Sequence, residues 1–502
     1  MQLDLCTPIK KCIYVLFVGL CLLCPIQKGL AQNTTSSVTT QTSIQEQLNS
    51  IVQHPVFQES KVGVHVMHVA SKEEVFSYNA DNVLSPASVM KAITAATALR
   101  TLGTEYAFIT EVRYTGEIRE DGVLKGNVYI VGSGDPYMDG EALWKMIRNM
   151  KVAGVKSIQG NIYFDNTAFG SSLIPGWDKE VDIANGPSYF PLRSSLNFNT
   201  NNIAILVTPG KTINSKATVF LEYPFSLVEI DNQVQTVARN ATPSFSIERE
   251  VFYHKQDSSK VEKIVYHLAG RIPLETNEPW VYYRSILEPQ RFFSENFMQI
   301  LHESGITHKG KVDFQTAPTS TKSLSSHISD PLRVMIGDMN KHSRNLTAES
   351  LILAMAAQKE TPAQTEDGLQ AIYDYFTSLG IATTDTVLKN GSGLSLSMKI
   401  TPSQISAVLI DMIEDPIFAP EYVSSLSVNG RDGTLKRRMP QDPAMFRGKT
   451  GSLNGVFCVA GYVRSKDGEL YTFVFLANNT QRPAKVIRDL QDQIAQVLID
   501  FG

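Results

Sequence analysis

The hydrophobic positions change period several times along the chain. Val62, Val64 and Val66 alternate with polar residues and predict a strand, with Val75-Phe76-Ser77-Tyr78 as its partner across Ser71-Lys72-Glu73. After Ser85-Pro86-Ala87 the spacing becomes helical through Met90, Ile93, Thr97 and Leu99 to Leu102, and Gly103 ends it. From about Tyr106 the pattern is one of short strands and turns. Val128 to Val131, Gly160 to Asp165 and Ile203 to Val207 are apolar runs between turn residues, and residues 211–285 stay β-like and polar. Helical spacing returns over 288–304, 330–341 and 348–358. Near the end, Val456 to Val463 and Leu470 to Leu476 read as a hairpin across Lys466-Asp467-Gly468. Pro483 then opens a last helix with Val486, Ile487, Leu490, Ile494, Val497 and Leu498 on one face. The pattern predicts an α/β shell, built from 48–105 and 290–502, that is interrupted by β-rich chain. No repeat of fixed period is present.

Composition narrows the class. The chain has 502 residues, 43% hydrophobic and 19% charged, with a formal net charge of −4, which fits a globular protein of more than one core. No basic stripe suggests nucleic acid; Lys436-Arg437-Arg438 reads as a surface turn. Lys10 and Lys11, the apolar run Cys12 to Cys24, and Gly29-Leu30-Ala31 have the layout of an export leader over 1–31. The run is shorter than the roughly 20 apolar residues of a membrane span, so cleavage after Ala31 and a periplasmic protein are expected; an uncleaved leader would give loose membrane or wall association. Residues 32–47, rich in Thr, Ser and Gln, read as a flexible spacer. Past the leader only Cys458 remains, in a strand-like run, which excludes an intramolecular disulfide and reads as a buried thiol.

Three short strings carry candidate chemistry. Ser88 stands at the start of a predicted helix and Lys91 lies one turn on, on the same face. A serine hydroxyl needs a nearby base to become a nucleophile, and a desolvated lysine near other cations loses its proton near neutral pH. Ser343-Arg344-Asn345 offers a hydroxyl that can pass a proton between Lys91 and a leaving amine, and an amide that can hold Lys91 and a substrate carbonyl. Lys449-Thr450-Gly451-Ser452 opens the Val456 hairpin. Lys449 and Thr450 suit a carboxylate, Gly451 allows close approach of a substrate backbone, and the N–H groups of Ser452 and Ser88 suit an oxyanion. Gly448-Lys449-Thr450 is not the end of a phosphate loop, because Pro443 occupies the position that needs glycine. Gly132-Ser133-Gly134-Asp135 lacks the third glycine of a dinucleotide loop, since Tyr137 stands there, and reads as a β-turn. The nine histidines show no metal-ligand spacing, so neither a metal nor a cofactor is expected.

In this order, the three strings resemble the signatures of penicillin-interacting serine enzymes. Pro86-Ala87-Ser88, Met339-Asn340-Lys341, Ala348-Glu349, Asn390-Gly391-Ser392-Gly393-Leu394-Ser395 and Asp432 to Arg438 extend the resemblance to the D-alanyl-D-alanine carboxypeptidase/endopeptidase family S13, the penicillin-binding protein 4 type. That resemblance implies a transpeptidase/β-lactamase-like α/β domain, an antiparallel sheet with helices on its faces, over 48–105 and 290–502. It implies a β-rich inserted domain over 106–190 and 265–289, and a second nested one over 191–264. It implies cleavage of terminal D-alanine, or of D-alanyl cross-links, in peptidoglycan stem peptides through a Ser88 acyl-enzyme, with β-lactams acylating the same serine. It also implies that Asp165 reaches the site from the insert and meets a substrate amino group. Arg344, where Asp or Asn is expected, and Asn390, where Asp is frequent, depart from the pattern without removing a catalytic group.

Two other readings compete. A β-lactamase on the same scaffold needs a dedicated deacylation base, and no Glu-x-x-x-Asn loop in a small domain supplies one. A silent wall-binding protein would not need Lys91 or Ser343. About half the chain separates Ser88 from Ser343, so every reading except silence requires distant segments to meet in one cleft.

Overall fold

The computed structural model describes residues 35–170, 172–177, 186–275 and 278–501. The leader expected over 1–31 lies outside the described residues. The spacer expected over 32–47 is corrected: the helix Thr35–Val52 covers most of it. Ile44, Leu48, Ile51 and Val52 recur at helical spacing and are buried, which gives this segment the apolar face that its polar composition conceals.

The central sheet has six antiparallel strands in the order Ser427–Val428, Phe446–Leu453, Val456–Arg464, Leu470–Asn478, Lys61–His68 and Glu74–Tyr78. The early and late parts of the chain therefore share one sheet, with Lys61–His68 paired residue for residue against Leu470–Asn478. Its middle strands are apolar on both faces because helices cover both. Cys458, Ala460 and Tyr462 pack with the helix Met90–Leu102 and the helices of residues 332–425. The intervening Val459 and Val463 pack with Ile487, Ile494 and Leu498 of the helix Ala484–Asp500. The two-residue period of a strand thus serves two cores at once.

The interrupting chain has its own core. Five strands lie in the order Val312–Phe314, Ile162–Asp165, Val128–Val131, Ile109–Tyr114 and Lys322–Ile328. Against them pack Leu143, Met146 and Ile147 of the helix Gly140–Val152 and Phe292, Phe293 and Phe297 of the helix Pro289–Glu303. Residues 290–328 therefore pack with the insert, and the chain returns to the catalytic core only at Leu332, later than its periodicity indicates. The cause is the apolar face of Pro289–Glu303, which the sequence pattern shows without naming its partner. The long strand Asp257–Pro273 lies between Val228–Val237 and Ser244–His254, so residues 265–273 belong to this three-stranded sheet and not to the outer insert.

Candidate active site

Ser88 sits in the one-turn helix Ala87–Val89 that runs directly into Met90–Leu102. Ala87 has φ +45°, in the left-handed region that favours glycine, so the turn presenting Ser88 is held under strain. Two glycines make room for it. A Cβ on Gly393 would fall 1.8 Å from the Ala87 carbonyl oxygen, and one on Gly451 would fall 2.8 Å from the Pro86 carbonyl oxygen and 3.0 Å from the Ser88 nitrogen. The glycine of the Lys-Thr-Gly strand thus first admits the serine turn against the sheet. That seats the strand carrying Ser452 beside the Ser88 N–H.

Lys91 is fully buried and its Nζ lies 3.0 Å from Ser88 Oγ and 2.7 Å from the Ser392 carbonyl oxygen. Desolvation holds its proton affinity well below the ordinary lysine value, the charge of Lys449 lowers it further, and Glu349 pulls the other way. Lys449 is buried as well. Its Nζ donates to Ser343 Oγ at 3.0 Å and to the Thr450 carbonyl at 2.6 Å, and burial pushes its pKa down to about 7. Burial opposes a charge on both lysines, and repulsion between the two ammonium groups disfavours protonating both at once. Neutral Lys91 beside Ser88 Oγ is a general base in position.

Ser343 ends the helix Leu332–His342 in the left-handed conformation, φ +58°, and this turn delivers its hydroxyl to Lys449. The expected relay is therefore built differently: Ser343 is bonded to Lys449 and not to Lys91. Asn345 also departs from expectation. Its Nδ2 donates to the Tyr189 carbonyl at 2.5 Å rather than holding Lys91, and its buried Oδ1 has no partner among the described residues. Arg344 pairs with Asp338 at 3.2 Å on the half-exposed rim. Thr450 Oγ1 donates to Thr434 Oγ1 at 2.8 Å, and Ser452 Oγ accepts from Arg488 at 3.4 Å.

The structure places Asp165 away from the other predicted site residues in its hydrogen bonding. It closes the strand Ile162–Asp165, but its carboxylate is buried. One oxygen accepts from the Thr167 N–H at 3.0 Å and hydroxyl at 2.6 Å, and the other from the Ala317 N–H at 2.8 Å. These bonds tie the insert's own strands together, and Asp165 does not line the cleft in which Ser88 lies. The residue that sequence reasoning missed is Glu349. It is fully buried and accepts from the Ser392 N–H at 2.8 Å and the Gly391 N–H at 3.3 Å, fixing the carbonyl that holds Lys91. Its signal was a lone carboxylate inside the apolar helix Asn345–Ala356, a position too costly to keep unless paired. Cys458 is a buried thiol, bonded weakly to the Ser85 carbonyl at 3.5 Å, and burial raises its pKa.

Ser88, Ser343, Thr450, Gly451 and Ser452 open on one cleft of about 640 Å³. A strained serine turn, a buried lysine beside it and a Lys-Thr-Gly strand on an antiparallel sheet define a serine acyl-transfer enzyme. Comparison with known proteins makes the class specific. Residues 44–500 match the D-Ala-D-Ala carboxypeptidase 3 (S13) family. A D-alanyl-D-alanine carboxypeptidase of Actinomadura sp. (strain R39) is 29% identical over 92% of this chain and 85% of its own length. A D-alanyl-D-alanine carboxypeptidase DacB of Haemophilus influenzae is 26% identical over 84% and 85%. The crystal structure of penicillin binding protein 4 from Haemophilus influenzae shares the fold, with a TM-score of 0.74 at 23% identity, over 89% of this chain and 98% of that one. The chain belongs to the D-Ala-D-Ala carboxypeptidase 3 (S13) family, and is a serine-type DD-carboxypeptidase.

Proposed function

We propose that the protein is an exported DD-peptidase that cuts terminal D-alanine from, or D-alanyl cross-links in, peptidoglycan through an acyl-enzyme on Ser88. The observation that carries this reading is the 3.0 Å contact between Lys91 Nζ and Ser88 Oγ, made by a lysine that burial disposes to be neutral. Lys91 takes the Oγ proton as Oγ attacks the penultimate D-alanine carbonyl. The oxyanion is received by the N–H groups of Ser88 and Ser452, each such donor contributing about 2.7–4 kcal/mol to the barrier. The leaving residue's carboxylate lies at Lys449 and Thr450. The proton that Lys91 has taken from Oγ passes to the leaving amine, with the Ser343 hydroxyl, held by Lys449, at the same end of the cleft; water then hydrolyses the ester with Lys91 again as base. Asn345 receives the acyl-side backbone once the Tyr189 carbonyl yields its amide.

β-Lactams mimic the same dipeptide and acylate the same oxygen, and a structure of the Haemophilus influenzae protein with a β-lactam supports this. Lys10, Lys11 and the apolar run that follows support export to the periplasm. Among the described residues no helix is long and apolar enough to cross a membrane. The test is mass spectrometry after incubation with a defined muropeptide and, separately, with penicillin. The expected result is loss of D-alanine or of a cross-link, with a stoichiometric adduct on the Ser88 peptide. Rapid sustained turnover of nitrocefin in place of a lasting adduct would instead make it a β-lactamase.

A further inference from the structure

The cleft that holds Ser88 is unevenly charged. Besides Ser343 and Thr450 it is lined by Lys436, Arg437, Arg438 and Arg488, and among the described residues no carboxylate side chain lines it. The Lys436 to Arg438 triplet, which reads as a surface turn in sequence, is brought to the cleft by the one-turn helix Gly433–Leu435. Arg438 is already engaged, 2.7 Å from Asp492 and bonded to the Arg488 carbonyl at 3.0 Å. Lys436, Arg437 and Arg488 are exposed, and none has a carboxylate partner among the described residues. Arg488 is steadied over the Phe457 ring, 6.0 Å from its centroid, with Nη2 at 3.4 Å from Ser452 Oγ. The turn after Gly433–Leu435 and the helix Ala484–Asp500 thus both present cations to the cleft.

The position of this wall matters more than its charge. Under the reading above, the leaving residue sits at Ser343, Lys449 and Thr450, and the arginines share one cleft with Ser343, Thr450, Ser88 and Ser452. A single D-alanine brings one carboxylate, which Lys449 and Thr450 accommodate. The cleft, which also takes in Ser88 and Ser452, has about 640 Å³, a volume in the range of sites for ligands much larger than one D-alanine. Guanidinium groups recognise carboxylates through paired N–H donors. We infer that Arg437 and Arg488 form a subsite for a second carboxylate on the leaving group, so that the preferred leaving groups are acidic peptide segments larger than D-alanine. This inference rests on the proposed Ser88 acyl-enzyme.

The test uses the full protein and three peptides with one common acyl segment, ending in D-Ala-D-Ala, D-Ala-D-Glu or the neutral isostere D-Ala-D-Gln. The wild type is expected to cleave the D-Glu peptide with a kcat/KM about tenfold above that of the D-Gln peptide at low salt. The ratio should shrink at high salt, because the arginines are exposed. In the doubly substituted R437Q/R488Q protein the ratio should fall to about one. A wild-type ratio near one, with D-Ala-D-Ala cleaved and Ser88 labelled by penicillin, overturns the subsite and leaves the peptidase reading intact. A high ratio that survives R437Q/R488Q overturns it too, since the preference then lies elsewhere. Absence of both cleavage and penicillin labelling would remove the peptidase reading, and the subsite with it.

Discussion

Lys449→Met should make the protein slower and, at neutral pH or below, more stable. Lys449 is buried and titrates at about 7, against 10.5 for an unrestrained lysine, with burial as the cause. The folded pKa is depressed, so between pH 7 and 10.5 the unfolded chain binds the extra proton. Stability therefore rises with pH across that window, and the full cost is present below it. That cost is about 5 kcal/mol at pH 6 and has fallen to about 2 kcal/mol at pH 9. Met removes it, but leaves the Thr450 carbonyl without the Nζ donor, a loss of about 1–3 kcal/mol. The variant should thus exceed the wild type by about 2–4 kcal/mol at pH 6, and the two should be nearly equal at pH 9. Urea unfolding followed by intrinsic fluorescence at both pH values measures the difference. Penicillin acylation, measured alongside, should slow by about 10–100-fold, through loss of a charge-assisted contact to the substrate carboxylate. An equal pH dependence of stability in both proteins, or a variant less stable at pH 6, would refute the argument that Lys449 is held against its solvation preference for catalysis.

Four further outcomes are expected. Ser88→Ala should abolish fluorescent penicillin labelling with an unchanged circular dichroism spectrum. Lys91→Met should lower the acylation rate by about 10²–10⁴-fold, read by stopped-flow quenching, since the base 3.0 Å from Ser88 Oγ is gone. Glu349→Gln removes the charge that raises Lys91, so the acid limb of the acylation pH profile should move to lower pH. Asp165→Ala should cost about 2–5 kcal/mol in chemical unfolding, with a penicillin acylation rate near that of the wild type, because its three hydrogen bonds lie within the insert.

How legible each part was depends on the range of the force involved. The sheet strands were readable because the two-residue alternation of Val62 to Val66 and the hairpin about Lys466-Asp467-Gly468 are local. The return of the chain to the catalytic core was misplaced near 290, because the apolar face of Pro289–Glu303 is equally suited to either core and only packing chooses. The hydrogen bonds of Asp165 were not legible for a related reason. A carboxylate closing a strand has the same sequence signature whether it faces a cleft or, as here, accepts from Thr167 and Ala317. Glu349 was visible as an anomaly in an apolar helix, yet its partners at 391 and 392 were not, since nothing local links them.

From its sequence alone this protein was bound to carry a serine and a lysine one helical turn apart, a hydroxyl and an amide in a second segment, and a cation, a hydroxyl and a glycine at a strand opening. Covalent spacing and helix geometry impose those relations within a few residues. Only the tertiary structure could decide which hydroxyl meets which lysine. It pairs Ser343 with Lys449, ties Asn345 to Tyr189 and turns a solvated-looking run of basic residues toward the cleft. Those contacts, and the burial that displaces both lysine pKa values, come from the joint exclusion of water by segments far apart in the chain, and no short stretch of sequence encodes that.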